Sequence, residues 1–290
     1  MLNKCILKPL LFLAACFILA TITGCYGEIT GVMNPKGIIA FKERQLLIDA
    51  SALMLMVVIP VIIMSFAFVW RYHQSQDTSE YHPDWCHNTM LESIWWGVPI
   101  AIILILALMT WSLTHKLDPY KRIDVPGEVI EVQVIALPWK WLFIYPKENI
   151  ATVNFLEIPK DRQVEFFFTN DNVPMSSFFI PQLGSQIYTM AAMRTRLYLV
   201  PTFEGTFTGL NSQYNGAGFS DMHFETKVVS EEEYKNWVQQ SKNTPLKLTI
   251  DEYKQLRQPT MANAVQIFSE TPAGLFQHTI DSYKAPHHPN

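Results

Sequence analysis

The side chains able to do metal, nucleophilic or proton chemistry are few and unevenly placed along this 290-residue chain. Its four cysteines are Cys5, Cys16, Cys25 and Cys86, so residues 116–290 contain no thiol. His82, Cys86 and His87 lie close together. Zinc is conceivable there, but three donors fall one short of a closed four-ligand site. His287 and His288 stand near the chain end and read as solvated imidazoles. Asp49 and Glu92 flank long apolar runs, where a carboxylate is either an interfacial charge or a functional group. No Ser-His-Asp set and no phosphate-binding loop is recognisable, so no spacing supports independent catalysis.

The elements that must carry these groups divide the chain in two. Residues 1–115 hold 13 charged side chains and residues 116–290 hold 35, the pattern of a membrane part followed by a water-soluble part. The net charge of −4 gives no basic footprint for nucleic acid. Lys4 and Lys8 precede an uncharged run from Leu10 to Thr23, too short to span hydrocarbon about 30 Å thick but suited to a signal peptide. Small residues before Cys25 resemble the lipobox of bacterial lipoproteins, so residues 1–24 are expected to be removed and Cys25 to carry lipid.

Ala50–Trp70 and Ser93–Ser112 are then uncharged over 21 and 20 residues, each long enough to cross a bilayer as a helix. Spans of about 47–70 and 93–113 are expected, within a hairpin region of residues 25–124. Trp70, Trp95, Trp96 and Trp111 sit near the run ends, where amphipathic rings favour the interface, and Pro60 is expected to kink the first helix. A plain count of Lys and Arg would put the loop between the spans outside. The signal argues the reverse, an exported N-terminus and an exported C-terminal domain, and the signal sets the path.

From Val129 the hydrophobic period becomes two: Ile130, Val132, Val134 and Ala136 alternate with Glu131 and Gln133. Similar runs at 163–169, 195–200 and 224–229, with Pro, Gly and Asn between them, predict an all-β sandwich over residues 125–229. Ser230 with Glu233, and Thr249 with Glu252, each fit a capping box and predict two short helices in an aromatic-rich region, 230–280. Residues 281–290 are expected to form a disordered tail.

Taken together, a lipobox, a two-helix hairpin and an exported sandwich resemble subunit II of haem–copper terminal oxidases. The resemblance implies a cupredoxin-like Greek-key sandwich. In the cytochrome c-oxidising members that sandwich holds a dinuclear copper centre, with the pattern Cys-x3-Cys-x3-His-x2-Met and an earlier His. Residues 211–222 match that frame, but Asn211 and Asn215 stand at the cysteine positions and Phe219 at the histidine position; Met222 is kept. Ser176 stands at the earlier histidine position. Thiolates bridge such a centre because soft ligands select Cu(I), and amides, a phenyl ring and a hydroxyl do not replace them.

Quinol oxidases lack these ligands, and the stretches 139–146 and 178–188 look like the bo-type ubiquinol oxidase subunit II. The resemblance covers roughly residues 20–280. It implies a non-redox subunit of an inner-membrane complex that oxidises ubiquinol, reduces O2 to water and pumps protons. No cofactor is expected in this chain; haems and copper would sit in subunit I, its partner together with the small membrane subunits and the bilayer. The sandwich would lie in the periplasm. A menaquinol oxidase subunit and a non-enzymatic lipoprotein scaffold are the alternative readings. Asp49 and Glu92 are the candidates for quinol access or a proton path. Trp139 and Trp141 read as packing residues, and Met175 and Met222 as sandwich core.

Overall fold

The computed structural model describes residues 31–72, 87–261 and 263–284. Cys25, His82, Cys86, His287 and His288, with the expectations placed on them, lie outside the described residues. Contacts divide the protein into two units: the helical stretch Gln45–Thr114, and a sandwich unit that joins Gly31–Arg44 to the chain from His115 onward.

The helical stretch belongs to two long helices, α1 (Ile38–Arg71) and α2 (Thr89–Lys116). They contain the expected spans and exceed them at both ends. Both continue through an internal proline, Pro60 in α1 and Pro99 in α2. Apolar side chains face outward along them: Phe66, Val69 and Leu108 are each more than 70% exposed in the isolated chain. A helix apolar all round is suited to lipid or to partner helices rather than to water. At about 1.5 Å per residue, α1 is about 20 Å longer than the hydrocarbon core. Its first residues are accounted for in the other unit.

There, Gly31–Arg44 is a strap laid on the sandwich rather than part of the hairpin region expected from sequence. Lys36 N donates to Gln182 O at 2.6 Å, Ile38 N to Val200 O at 3.1 Å and Ala40 N to Leu183 O at 3.3 Å. Glu43 Oε1 then accepts from Ser185 N at 2.9 Å. The strap is close-fitting at Gly184, whose φ is +99°; a Cβ there would lie 2.6 Å from Ala40 N.

Eleven strands follow among the described residues: β1 (Ile130–Leu137), β2 (Lys140–Tyr145), β3 (Ile150–Val153), β4 (Phe155–Pro159), β5 (Val164–Asn170), β6 (Ser176–Phe179), β7 (Gln186–Thr189), β8 (Thr195–Leu199), β9 (Gly205–Asn211), β10 (His223–Val229) and β11 (Gln266–Phe268). They form two sheets, ordered β11-β3-β2-β1-β5-β8 and β4-β10-β9-β6-β7. The pairs β1–β5 and β4–β10 are parallel and the others antiparallel, giving the cupredoxin-like sandwich that was expected. Between the sheets lies an aromatic core in which Phe178 sits 4.8 Å from Phe168, 5.2 Å from Phe224 and 5.6 Å from Trp141, ring centre to ring centre.

The alternation in β1 has a structural reason. Val132, Val134 and Ala136 enter the inter-sheet core. Ile135 and Leu137 point to the opposite face and are fully buried there as well, because the C-terminal region covers it with Leu248, Tyr253, Phe268, Leu275, Phe276 and Ile280. The alternation fails where both faces are covered.

The C-terminal region contains α3 (Glu231–Lys242), α4 (Ile250–Leu256) and α5 (Leu275–Asp281). Ser230 and Glu233 form both halves of the expected capping box; at Thr249 the hydroxyl half forms, with Glu252 N donating at 3.1 Å. The region is not purely helical: β11 adds to the first sheet beside β3. Order also continues past the expected boundary at residue 281. Tyr283 OH donates to Asp171 Oδ1 at 2.7 Å and accepts from Asn172 N at 2.8 Å. Asp171 is the buried anchor of the whole region: Tyr253 OH donates to it at 2.6 Å, and Arg257 Nε pairs with it at 2.9 Å without aligning its N–H as a hydrogen bond.

Candidate functional site

The positions matched to the copper frame converge at one end of the sandwich. Ser176 opens β6 and is fully buried. Asn211 ends β9, Asn215 lies in the following loop, Phe219 starts a short 3-10 turn (Phe219–Asp221) and Met222 follows it. Asn215 Nδ2 donates to Ser176 Oγ at 3.1 Å and to Met222 Sδ at 3.1 Å. Asn211 Oδ1 accepts from Ser177 N at 2.8 Å and from Gln213 N at 3.1 Å, while Asn211 N donates to Met222 O at 3.0 Å. Asn211, Asn215 and Met222 are all buried, whereas Phe219 is half-buried with its ring 5.6 Å from that of Tyr214.

Trp139 closes the loops from above β2. Its backbone adopts a φ of +58°, and its indole Nε1 donates to Asn215 O at 3.4 Å. The ring rests on Gly218, where a Cβ would come within 2.4 Å of it; only glycine allows that approach. Trp141 is wholly within the core. Met222 is core as expected, but Met175 is 38% exposed, because it lies in the loop before β6 rather than on its inward face.

These groups do not fit a dinuclear copper centre. Such a centre takes thiolates as bridges and imidazoles as terminal ligands. Here the two cysteine positions are amides. The Asn215 amide aims N–H donors, not lone pairs, at the one sulfur and the one hydroxyl nearby. A thioether alone is a weak ligand, and here the Met222 sulfur already accepts from Asn215 Nδ2. What the loops form is a hydrogen-bonded polar lock. Three buried polar atoms of these loops, Asn211 Nδ2, Asn215 Oδ1 and Ser177 Oγ, have no protein partner.

The other candidates belong to the helical unit. Asp49 is exposed on α1 and accepts from Gln45 Nε2 at 2.8 Å; Glu92 lies in the first turn of α2 and meets His87 Nδ1 at 2.8 Å. His87 is therefore engaged by a carboxylate, with its Nε2 3.1 Å from Thr89 Oγ1.

Besides Asp171, sequence reasoning missed the buried ionisable groups Lys140 and Glu157. Lys140, between Trp139 and Trp141, is 1% exposed, and its Nζ donates to Leu256 O and Gln258 O at 2.9 Å each. Burial lowers its pKa to about 8. Glu157, on β4, is 3% exposed, and burial raises its carboxyl to about 7, against the weaker pull of Lys227 Nζ at 4.0 Å. A charged residue flanked by apolar strand residues was the available signal in both cases.

Comparison with known proteins gives consistent matches. The family described as COX Aromatic Rich Motif matches residues 240–287. Cytochrome bo(3) ubiquinol oxidase subunit 2 of Pseudomonas aeruginosa is 47% identical over 257 residues, 89% of this chain and 77% of that protein. The protein of the same description from Buchnera aphidicola subsp. Schizaphis graminum is 39% identical over 94% of this chain and 93% of its own length. Quinol oxidase subunit 2 of Bacillus spizizenii is 33% identical over 95% of this chain and 85% of that protein. Among solved structures, the periplasmic domain of cytochrome oxidase subunit II from Bradyrhizobium japonicum aligns at 18% identity and a TM-score of 0.38, covering 40% of this chain and 96% of that one.

Two long apolar helices and a cupredoxin-like sandwich are the architecture of an oxidase subunit II. Within that class, the chain belongs to the ubiquinol oxidase subunit 2 family.

Proposed function

We propose that this chain is the non-redox second subunit of a bo-type terminal oxidase that oxidises ubiquinol, reduces O2 to water and pumps protons. The observation that carries this reading is the polar lock of Ser176, Asn215 and Met222, in a family whose nearer relatives are named for ubiquinol. A copper-free sandwich gives a soluble cytochrome no entry point, so electrons must come from a donor within the bilayer. Haem and copper chemistry then belongs to subunit I. Relatives named only for quinol match at lower identity, which favours ubiquinol over menaquinol.

The strap supports the topology. Both the start of α1 and the chain after α2 belong to the sandwich unit, so two crossings return the chain to the side it left. This agrees with an exported N-terminus and a periplasmic sandwich, with Cys25 acylated only six residues before the strap begins. On this path Asp49 and Glu92 lie at opposite membrane faces, so they do not line one and the same quinol site.

Purification in mild detergent, followed by optical spectra, tests the proposal. Haem-bearing subunits should copurify, and ubiquinol should reduce their haems while reduced cytochrome c leaves them unchanged. Reduction by cytochrome c, or purification without haem, would refute it. Removal of residues 125–290 should abolish assembly of the complex.

A further inference from the structure

The loop between β8 and β9 is tied to the strap at several points. Pro201 and Gly37 form an antiparallel bridge, and Thr202 donates to Lys36 O from its N at 2.8 Å and from its Oγ1 at 3.0 Å. The next residue, Phe203, therefore has a fixed place, yet it is 47% exposed. Its ring centre lies 6.3 Å from that of Phe41, in the first turn of α1, which is itself 44% exposed. Lys36 Nζ sits 4.9 Å from the centre of the Phe203 ring. Two phenyl rings set against each other on a hydrogen-bonded scaffold make an apolar spot that the sandwich does not bury.

The charges beside the rings have one sign once existing pairs are set aside. Lys160 Nζ lies 3.8 Å from both Glu204 and Asp161 and answers the carboxylates near this loop. Glu43, the carboxylate of the strap, is turned to the sandwich, accepting from Ser185 N at 2.9 Å and from Ser185 Oγ at 3.2 Å. Lys36, Lys42 and Arg44 remain, each without an ion pair among the described residues. The depth of the spot follows from α1, which runs unbroken from Phe41 into its apolar stretch. Apolar residues resume at Leu46, five positions after Phe41, which is about 7.5 Å at 1.5 Å per residue. The polar zone on each side of the hydrocarbon is roughly 5–8 Å deep, so Phe41 and the ring packed on it stand at headgroup level.

We infer that Phe41 and Phe203 form a membrane-surface anchor of the sandwich, entering the headgroup boundary beside α1, with Lys36, Lys42 and Arg44 binding anionic lipid headgroups. Aromatic rings facing the acyl margin and cations facing lipid phosphate are the pairing that an interfacial segment uses. The anchor depends on α1 crossing the bilayer and not on the electron donor, so failure of the lipid contact would leave the oxidase reading untouched.

The test uses the whole haem-containing complex in nanodiscs of phosphatidylethanolamine and phosphatidylglycerol, with the photoreactive benzoyl-phenylalanine at position 203. Tyr214, 70% exposed beyond the other end of β9, carries the same group in the control. After irradiation, mass spectrometry of this chain separates lipid adducts from crosslinks to another subunit. Position 203 should give at least tenfold more lipid adduct than position 214, enriched severalfold in phosphatidylglycerol over its share of the disc. Lys36→Gln, Lys42→Gln and Arg44→Gln together should abolish that enrichment; these changes spare the backbone hydrogen bonds that hold the loop to the strap. Crosslinks from position 203 to another subunit in place of lipid, equal lipid labelling at the two positions, or an enrichment unaltered in the triple variant would overturn the anchor.

Discussion

The amide nitrogen of Asn215 lies 3.1 Å from the hydroxyl of Ser176, joining two loops that are 39 positions apart in sequence. It reaches Met222 Sδ at the same distance. One neutral side chain therefore ties Ser176 to Met222. In this sandwich the loops are held by hydrogen bonds from a neutral amide.

If these positions occupy a copper frame, restoring donors should restore the metal. The combined substitutions Ser176→His, Asn211→Cys, Asn215→Cys and Phe219→His, with Met222 kept, should let the protein take up about two copper ions, since thiolate and imidazole together suit them. Metal analysis and an electron paramagnetic spectrum showing a mixed-valence pair would bear this out. The unmodified protein should give neither, and stoichiometric copper there would sink the assignment.

Much of this was legible before any coordinates. The period-two run in β1 and the hydroxyl-carboxylate spacing at Ser230 report local physics, and both formed as read. Ser176, Asn211, Asn215 and Met222, singled out by their spacing, come together in the folded sandwich. The strap was not, because Gly31–Arg44 carries no period of its own and is held by backbone hydrogen bonds to residues about 140 to 170 positions away. The short β11 was also hidden: Gln266–Phe268 is a strand only because β3 offers it an edge.

Asp171 collects Tyr253, Tyr283 and Arg257 from the C-terminal region, so its loss should loosen that region before the sandwich. Asp171→Ala strands buried donors and should cost about 2–4 kcal/mol, discounted for the partial exposure of Arg257. Limited proteolysis should then cut within residues 245–284 first. A cleavage pattern identical to that of the unmodified protein would contradict this.

Lys140 gives the C-terminal attachment a pH dependence of known sign. Its folded pKa is lowered to about 8, so below that pH both folded and unfolded chains carry the proton and the burial penalty is complete. Between about 8 and the ordinary lysine value the unfolded chain binds the extra proton, and stability rises with pH. Denaturant titrations from pH 7 to 10.5 should show that rise in the unmodified protein and a flatter profile in Lys140→Met.

Glu157 acts in a different window and with the opposite trend. Its carboxyl is raised to about 7 by burial, so between 4.5 and 7 the folded chain holds a proton that the unfolded chain has lost. Stability should therefore fall as pH rises through that window. Glu157→Gln should remove the decline and be the more stable form at pH 8, readable from melting temperatures at pH 5 and pH 8. A steeper decline in the variant would show that the Lys227 pair outweighs desolvation.

The strap makes the sharpest prediction about assembly. At Gly184 an added methyl would meet Ala40 N at 2.6 Å, backbone against which nothing flexible can yield, and the positive φ disfavours any other residue as well. Gly184→Ala should push the first turn of α1 off the sandwich and lower the yield of haem-containing complex severalfold, without altering haem spectra in the fraction that assembles. Gly97, where a Cβ would meet nothing within 4 Å, provides the matched control, and Gly97→Ala should assemble normally. Equal yields from the two variants would mean that the strap is dispensable for joining the sandwich to its membrane helices.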